Sequence, residues 1–184
     1  MKNIVFFGDS LTAGYGLVNV HNESLPALIQ QKIDALGLQY KAINAGLSGD
    51  TTRGGLSRLD YWLSRPLDIF VLELGINDVI RGVPVSTTKQ NLRQIINRVK
   101  AKYPQVKIAL MGMQLPRFLT NPRVEAFSNI YKELAHDDQL PFVPFYLDGV
   151  AGKRHLNLQD GLHPSAEGYK IIAENVWPLI KSLL

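Results

Sequence analysis

Five short apolar runs, at residues 4–7, 40–45, 69–74, 106–111 and 142–145, alternate along the chain with longer segments whose apolar residues recur at helical spacing. No other feature restricts the fold as much. A strand buried on both faces reads as a near-continuous apolar run, and parallel neighbours need a crossover connection, usually a helix. The alternation therefore predicts an α/β fold, a three-layer α/β/α sandwich around a parallel sheet of about five strands. The first helical segment has Ser24 as its N-cap and Pro26 in its first turn. Leu25, Leu28, Ile29, Ile33 and Leu36 lie on one face, and Gly37 ends it. Later segments carry Leu56, Leu59 and Leu63; Leu92, Ile95, Ile96 and Val99; Phe127, Ile130, Tyr131 and Leu134; and Tyr169, Ile172, Val176, Leu179 and Ile180. Gly54 and Gly55 weaken the second segment by about 1 kcal/mol each against alanine, which points to backbone crowding or to a loose turn. No repeat, low-complexity tract or linker interrupts the pattern, so 1–184 is expected to be one domain, and 184 residues suit one.

Composition excludes several classes of function. Hydrophobic residues make up 46% of the chain, but no apolar run approaches the ~20 residues a membrane helix needs. The net charge of +4 comes from scattered Lys and Arg with no aromatic-interleaved basic block, so nucleic acid is not an expected partner. With no Cys there is neither a thiolate nucleophile nor a cysteine metal site. The first strand begins almost at Met1, with no apolar leader or small-residue cleavage site, as expected of a cytoplasmic chain. A mature exported form given a new Met1 reads the same.

Strand-end loops gather along one edge of a parallel sheet, where such folds keep their clefts. Four of these loops carry polar residues suited to acyl transfer. Gly8-Asp9-Ser10-Leu11 follows the first run, and Gly46-Leu47-Ser48-Gly49-Asp50 the second. Gly75-Ile76-Asn77-Asp78 follows the third, and Asp160-Gly161-Leu162-His163-Pro164 precedes the last helix. A serine hydroxyl needs an adjacent base, and among four histidines only His163 has an aspartate three residues before it. In a turn leading into a helix, that spacing lets Asp160 reach Nδ1–H and leaves Nε2 for Ser10. Pro164 would then take the first helical position. His21, His136 and His155 are expected to lack such a partner. The oxyanion of a tetrahedral intermediate would meet the N–H groups of Ser10 and Gly49 and the amide of Asn77. Each residue also has a plain structural reading: a capped turn for Ser10, a helix start for His163 with Asp160 as partial cap, a turn glycine for Gly49, an Asx-turn for Asn77.

Taken together these blocks resemble the GDSL, or SGNH, family of hydrolases, in particular its small single-domain thioesterase/lysophospholipase/arylesterase branch. The similarity lies in Phe7-Gly8-Asp9-Ser10-Leu11-Thr12-Ala13-Gly14-Tyr15-Gly16, Asn44-Ala45-Gly46-Leu47-Ser48-Gly49-Asp50-Thr51, Leu72-Glu73-Leu74-Gly75-Ile76-Asn77-Asp78 and Asp160-Gly161-Leu162-His163-Pro164. It implies a flavodoxin-like SGNH hydrolase fold and a serine esterase acting on carboxylic esters or thioesters through an acyl-enzyme on Ser10. His163 is the implied base, Asp160 its orienting acid, and Ser10, Gly49 and Asn77 the oxyanion hole. The implied partner is a small acyl ester or thioester, with neither metal nor organic cofactor. Ile76 departs from the glycine or alanine more usual in this branch and is expected to stiffen or reshape the loop beside Asn77. The wider family also includes carbohydrate O-deacetylases. A flavodoxin-like phosphate- or nucleotide-binding module is the rival from another class, but it gives no reason for Asp160 and His163.

The loop at 114–122, after the fourth strand, should start at the same sheet edge as Ser10. Leu115, Phe118 and Leu119 are apolar, and Pro116 and Pro122 limit its freedom. These three side chains are expected to line a groove for the acyl chain, the alternative being that they tuck onto the domain.

Overall fold

The computed structural model describes residues 1–114 and 122–184. Its core is a five-stranded, all-parallel sheet of β1 (Lys2–Gly8), β2 (Tyr40–Gly46), β3 (Ile69–Glu73), β4 (Lys107–Met111) and β5 (Phe142–Val143), in the order β2-β1-β3-β4-β5. The chain leaves β1 for β2 on one side and later returns to place β3 on the other. β1 therefore lies at the point where the winding direction reverses, and the loops beyond its carboxyl end face an open crevice.

The helices are α1 (Ser10–Ala13), α2 (Val20–Glu23), α3 (Leu25–Ala35), α4 (Thr52–Leu63), α5 (Ile76–Ile80), α6 (Val85–Lys102), α7 (Pro122–Asp137) and α8 (Ala166–Leu183). α3 packs against α8, whereas α4, α6 and α7 pack side by side, giving the two outer layers of the expected sandwich. β3 is buried at every position, and Phe7 stacks on Phe70 across β1 and β3 at 5.3 Å. Among the described residues no helix is long and apolar enough to cross a membrane.

Several local expectations change. Ser24 occupies the N-cap of α3 with Pro26 in the first turn but makes no side-chain cap bond. Gly54 and Gly55 sit in a crowded place. A Cβ on Gly54 would lie 1.9 Å from Asp50 Oδ1, and one on Gly55 2.6 Å from Leu74. β5 ends at Val143 rather than 145, since the ring of Pro144 cannot donate to a ladder. Residues 10–13 form a short helix. Asp9 caps it, and Gly14 closes it in the left-handed region at φ 81°. The last helix starts at Ala166 with Ser165 as its cap, so Pro164 is outside it. There Pro164 forms a bridge with Asn157, which holds the preceding turn shut.

Candidate active site

Ser10 stands where β1 runs out. Asp9 accepts the N–H of Leu11 on Oδ1 at 3.0 Å, and the Ser10 carbonyl accepts those of Gly14 and Tyr15. Gly8 is required by close approach: a Cβ there would lie 2.1 Å from Thr12 Oγ1 and 2.6 Å from the Glu73 carbonyl. The turn is thus pressed onto the end of β3.

The turn bearing Asp160 and His163 arrives from the far end of the chain. It is folded by the Leu158 N–H to the His163 carbonyl, at 2.7 Å, and by Asn157 Nδ2, which donates to the carbonyls of Val150 and Lys153. Asp160 Oδ1 accepts the N–H groups of Leu162 and His163, at 2.9 and 3.0 Å. Its Oδ2 lies 2.7 Å from His163 Nδ1, and His163 Nε2 lies 2.9 Å from Ser10 Oγ. The His163 backbone N–H, chiefly, and the imidazole and Leu162 N–H hold the Asp160 carboxyl down at about 2, against desolvation. Asp160 is therefore a carboxylate at neutral pH. It can accept a hydrogen bond from Nδ1–H, the tautomer that leaves Nε2 to accept from the Ser10 hydroxyl. The Tyr15 ring covers the imidazole at 4.7 Å between centroids.

Two further loops close on the serine. Gly49 sits at φ 77°, in a turn whose Leu47 N–H donates to the Gly8 carbonyl at 3.0 Å. Arg81 Nη2 grips the Gly49 carbonyl at 2.7 Å. Asn77, on α5, donates from Nδ2 to the Asp50 carbonyl at 2.9 Å and to Asp9 Oδ2 at 3.1 Å. Both of its amide protons thus have protein acceptors, and an incoming oxyanion would have to share them. Ile76 is partly buried and packs against the core. Leu115, Phe118 and Leu119 lie outside the described residues.

Beneath Ser10 is a layer that spacing did not reveal. Asp9 is 0% and Glu73 4% exposed. Burial, chiefly, pushes the Asp9 carboxyl up to about 6, although the Leu11 N–H, His163 and Asn77 oppose this. Arg58 braces the neighbouring loops through Asp50 Oδ2 at 2.6 Å and through the carbonyls of Ala45 and Gly8. Asp78 holds the start of α4 by accepting from the N–H and hydroxyl of Thr52. One signal was available in the sequence: Glu73 is a lone acid inside an apolar strand. Of the remaining histidines, His136 does have a carboxylate nearby, Asp137 at 3.5 Å. That contact is between residues adjacent in sequence on an exposed helix end, far from any nucleophile.

Comparison with known proteins gives the same picture. The chain is 36% identical over 184 residues to the esterase TesA of Pseudomonas aeruginosa, covering 100% of this chain and 90% of that protein. It is 37% identical over 172 residues to thioesterase 1/protease 1/lysophospholipase L1 of Escherichia coli, covering 93% and 79%. The crystal structure of the psychrotrophic esterase EstA from Pseudoalteromonas sp., inhibited by monoethylphosphonate, superposes with a TM-score of 0.88 at 31% identity, over 99% of this chain and 98% of that one. The model of one family matches residues 6–171, from the strand that carries Ser10 to the helix behind His163, and by that match the chain belongs to the GDSL-like lipase/acylhydrolase family.

Proposed function

We propose that the protein is a serine esterase that hydrolyses carboxylic esters or thioesters through an acyl-enzyme on Ser10. The observation that carries this reading is the continuous relay from Asp160 Oδ2 through His163 to Ser10 Oγ, with links of 2.7 and 2.9 Å. Ser10 Oγ attacks the carbonyl carbon while its proton passes to His163 Nε2. The imidazolium, held by Asp160, then gives that proton to the departing alkoxide or thiolate as its bond to carbon breaks. Water enters, His163 takes one of its protons, and the resulting hydroxide attacks the acyl carbon. Ser10 regains its proton and the acid leaves. In both half-reactions the oxyanion is met by the N–H groups of Ser10 and Gly49, with Asn77 Nδ2 sharing its protons. The similarity to an esterase and to a thioesterase/lysophospholipase supports acyl esters and thioesters as the substrate class.

A fluorophosphonate probe read by intact-mass spectrometry tests the nucleophile. One adduct is expected on the wild type and none on Ser10→Ala, and equal labelling of both would refute the assignment. A panel of p-nitrophenyl esters from acetyl to long acyl, acyl-CoA, lysophospholipid and acetylated sugars tests the substrate class. Turnover confined to acetylated sugars would replace it with carbohydrate deacetylation.

A further inference from the structure

Glu73 ends β3 directly opposite Gly8 and takes no part in the relay. Its Oε2 accepts the N–H of Asp9 at 3.2 Å and the hydroxyl of Thr12 at 2.8 Å, so one oxygen holds the chain on both sides of Ser10. The missing Cβ of Gly8 makes this possible, since that atom would stand 2.5 Å from Oε2. We propose that Glu73 is the positioning residue of the nucleophile, tying the turn that carries Ser10 to the central sheet and so setting where Oγ meets His163. This rests on Ser10 being the nucleophile of the reaction proposed above.

The chemistry of the pocket says in which form Glu73 does this. Among the described residues no Lys, Arg or His forms an ion pair with it. The groups facing it are Asp9 from the cap of α1, Tyr131 from α7, Tyr146 from the loop after β5 and Tyr169 from α8. Each of these is neutral or negative. A buried carboxylate with an acid as neighbour and no cation loses its hydration without return. Burial first and Asp9 second drive the Glu73 carboxyl well above the ordinary glutamate range. Burial therefore favours the neutral acid in Glu73, and in that form Oε2 still accepts from both donors. The buried Tyr146 hydroxyl, which has no partner of good geometry among the described residues, faces the same carboxyl, and as a donor to it opposes the rise, as the Thr12 hydroxyl and the Asp9 N–H do. Tyr131 and Tyr169 donate elsewhere, to the carbonyls of Leu74 and Leu11.

Three variants, assayed as the full chain on p-nitrophenyl butyrate, test the proposal. Glu73→Gln keeps an uncharged acceptor for both donors, so kcat should stay within about 3-fold of wild type. Glu73→Leu lets the turn drift, and kcat should fall on the order of 10²-fold with KM nearly unchanged, as misplacement of a reacting group predicts. Thr12→Ala, a milder change that leaves the carboxyl in place, should show the same split at about 5-fold. Folding is checked by circular dichroism in every case. A thermal melt gives an independent reading. A proton that the folded chain holds and the unfolded chain releases makes this contribution to stability fall as pH rises above the usual glutamate value, and Glu73→Gln lacks that contribution. The Tm of Glu73→Gln relative to wild type should therefore climb between pH 5 and 8. Glu73→Gln as impaired as Glu73→Leu, or a flat Tm difference, would overturn the neutral acid. Wild-type kcat in folded Glu73→Leu would overturn the positioning role, and so, if that variant does not fold, would wild-type kcat in Thr12→Ala. A wild type inert to both the butyrate ester and the fluorophosphonate would instead count against the serine-esterase reading itself.

Discussion

The turn at 157–165 and the floor formed by Asp9 and Glu73 meet the same serine from opposite sides and treat their carboxyl groups in opposite ways. Asp160 is open to water, receives two backbone N–H groups and an imidazole, and is held at about 2. Asp9 and Glu73 lie beneath the sheet edge without a guanidinium or ammonium of their own, and burial drives both upward. The contrast is one of direction: backbone donors favour the charged form of Asp160, whereas burial favours the neutral form of the floor carboxyls. Asp160 has to face a ring that becomes positive during each turnover. Glu73 has only to accept two hydrogen bonds, which a neutral carboxyl does at far lower desolvation cost.

The largest expected effect lies on the charged side. Asp160→Asn preserves the shape of the turn but offers the wrong partner to Nδ1, and kcat should fall by roughly 10³–10⁴. Because the site is exposed, Tm should scarcely move, and steady-state kinetics beside a thermal melt measures both. Near-normal turnover would mean that the two carboxyl environments do not differ in function.

Asn77 belongs to both regions, since its amide is tied to Asp9 but lies beside Ser10. Asn77→Ala should lower kcat by about 10², the cost of one oxyanion donor, with a smaller change in KM. If Tm falls while kcat per folded molecule survives, the residue serves only the floor.

The smallest effect concerns Asp9 and stability. Its folded value, about 6, lies above the unfolded 3.8. The contribution to stability is therefore fully present below 3.8 and is lost as pH rises through about 6. Wild-type Tm should decline by a few degrees across that interval, and Asp9→Asn should flatten the decline. Asp160 has the opposite sign: its contribution is present above 3.8 and lost only as pH falls toward about 2. An equally steep decline in Asp9→Asn would remove Asp9 from the comparison.

Much of this site could be read before any coordinates. Ser10, Gly49, Asn77, Asp160 and His163 each sit within six residues of a strand end or helix start, where apolar runs break into glycine and polar residues, and local spacing exposes them. The sheet was legible for the same reason, because continuous apolar runs are what double-sided burial demands. The floor was not. Glu73 joins Asp9 across 64 residues, Arg81 reaches Gly49 across 32, and the partnership of Arg58 with the Gly8 carbonyl spans 50. Such contacts depend on strand order, which periodicity leaves open. Pro164 was misplaced because its ring suits a first helical turn equally well in the abstract. Only its bridge to Asn157 decides otherwise.

Ser10 Oγ and His163 Nε2 touch across 153 residues of chain. The serine therefore meets the imidazole only after the chain between them has folded. α8 buries Tyr169, Ile172, Val176 and Ile180, and the Tyr169 hydroxyl donates at 2.8 Å to the carbonyl of Leu11, one residue beyond the nucleophile. The last helix thus bears on the active-site turn as well as on the core, since one of its buried tyrosines holds the backbone beside Ser10.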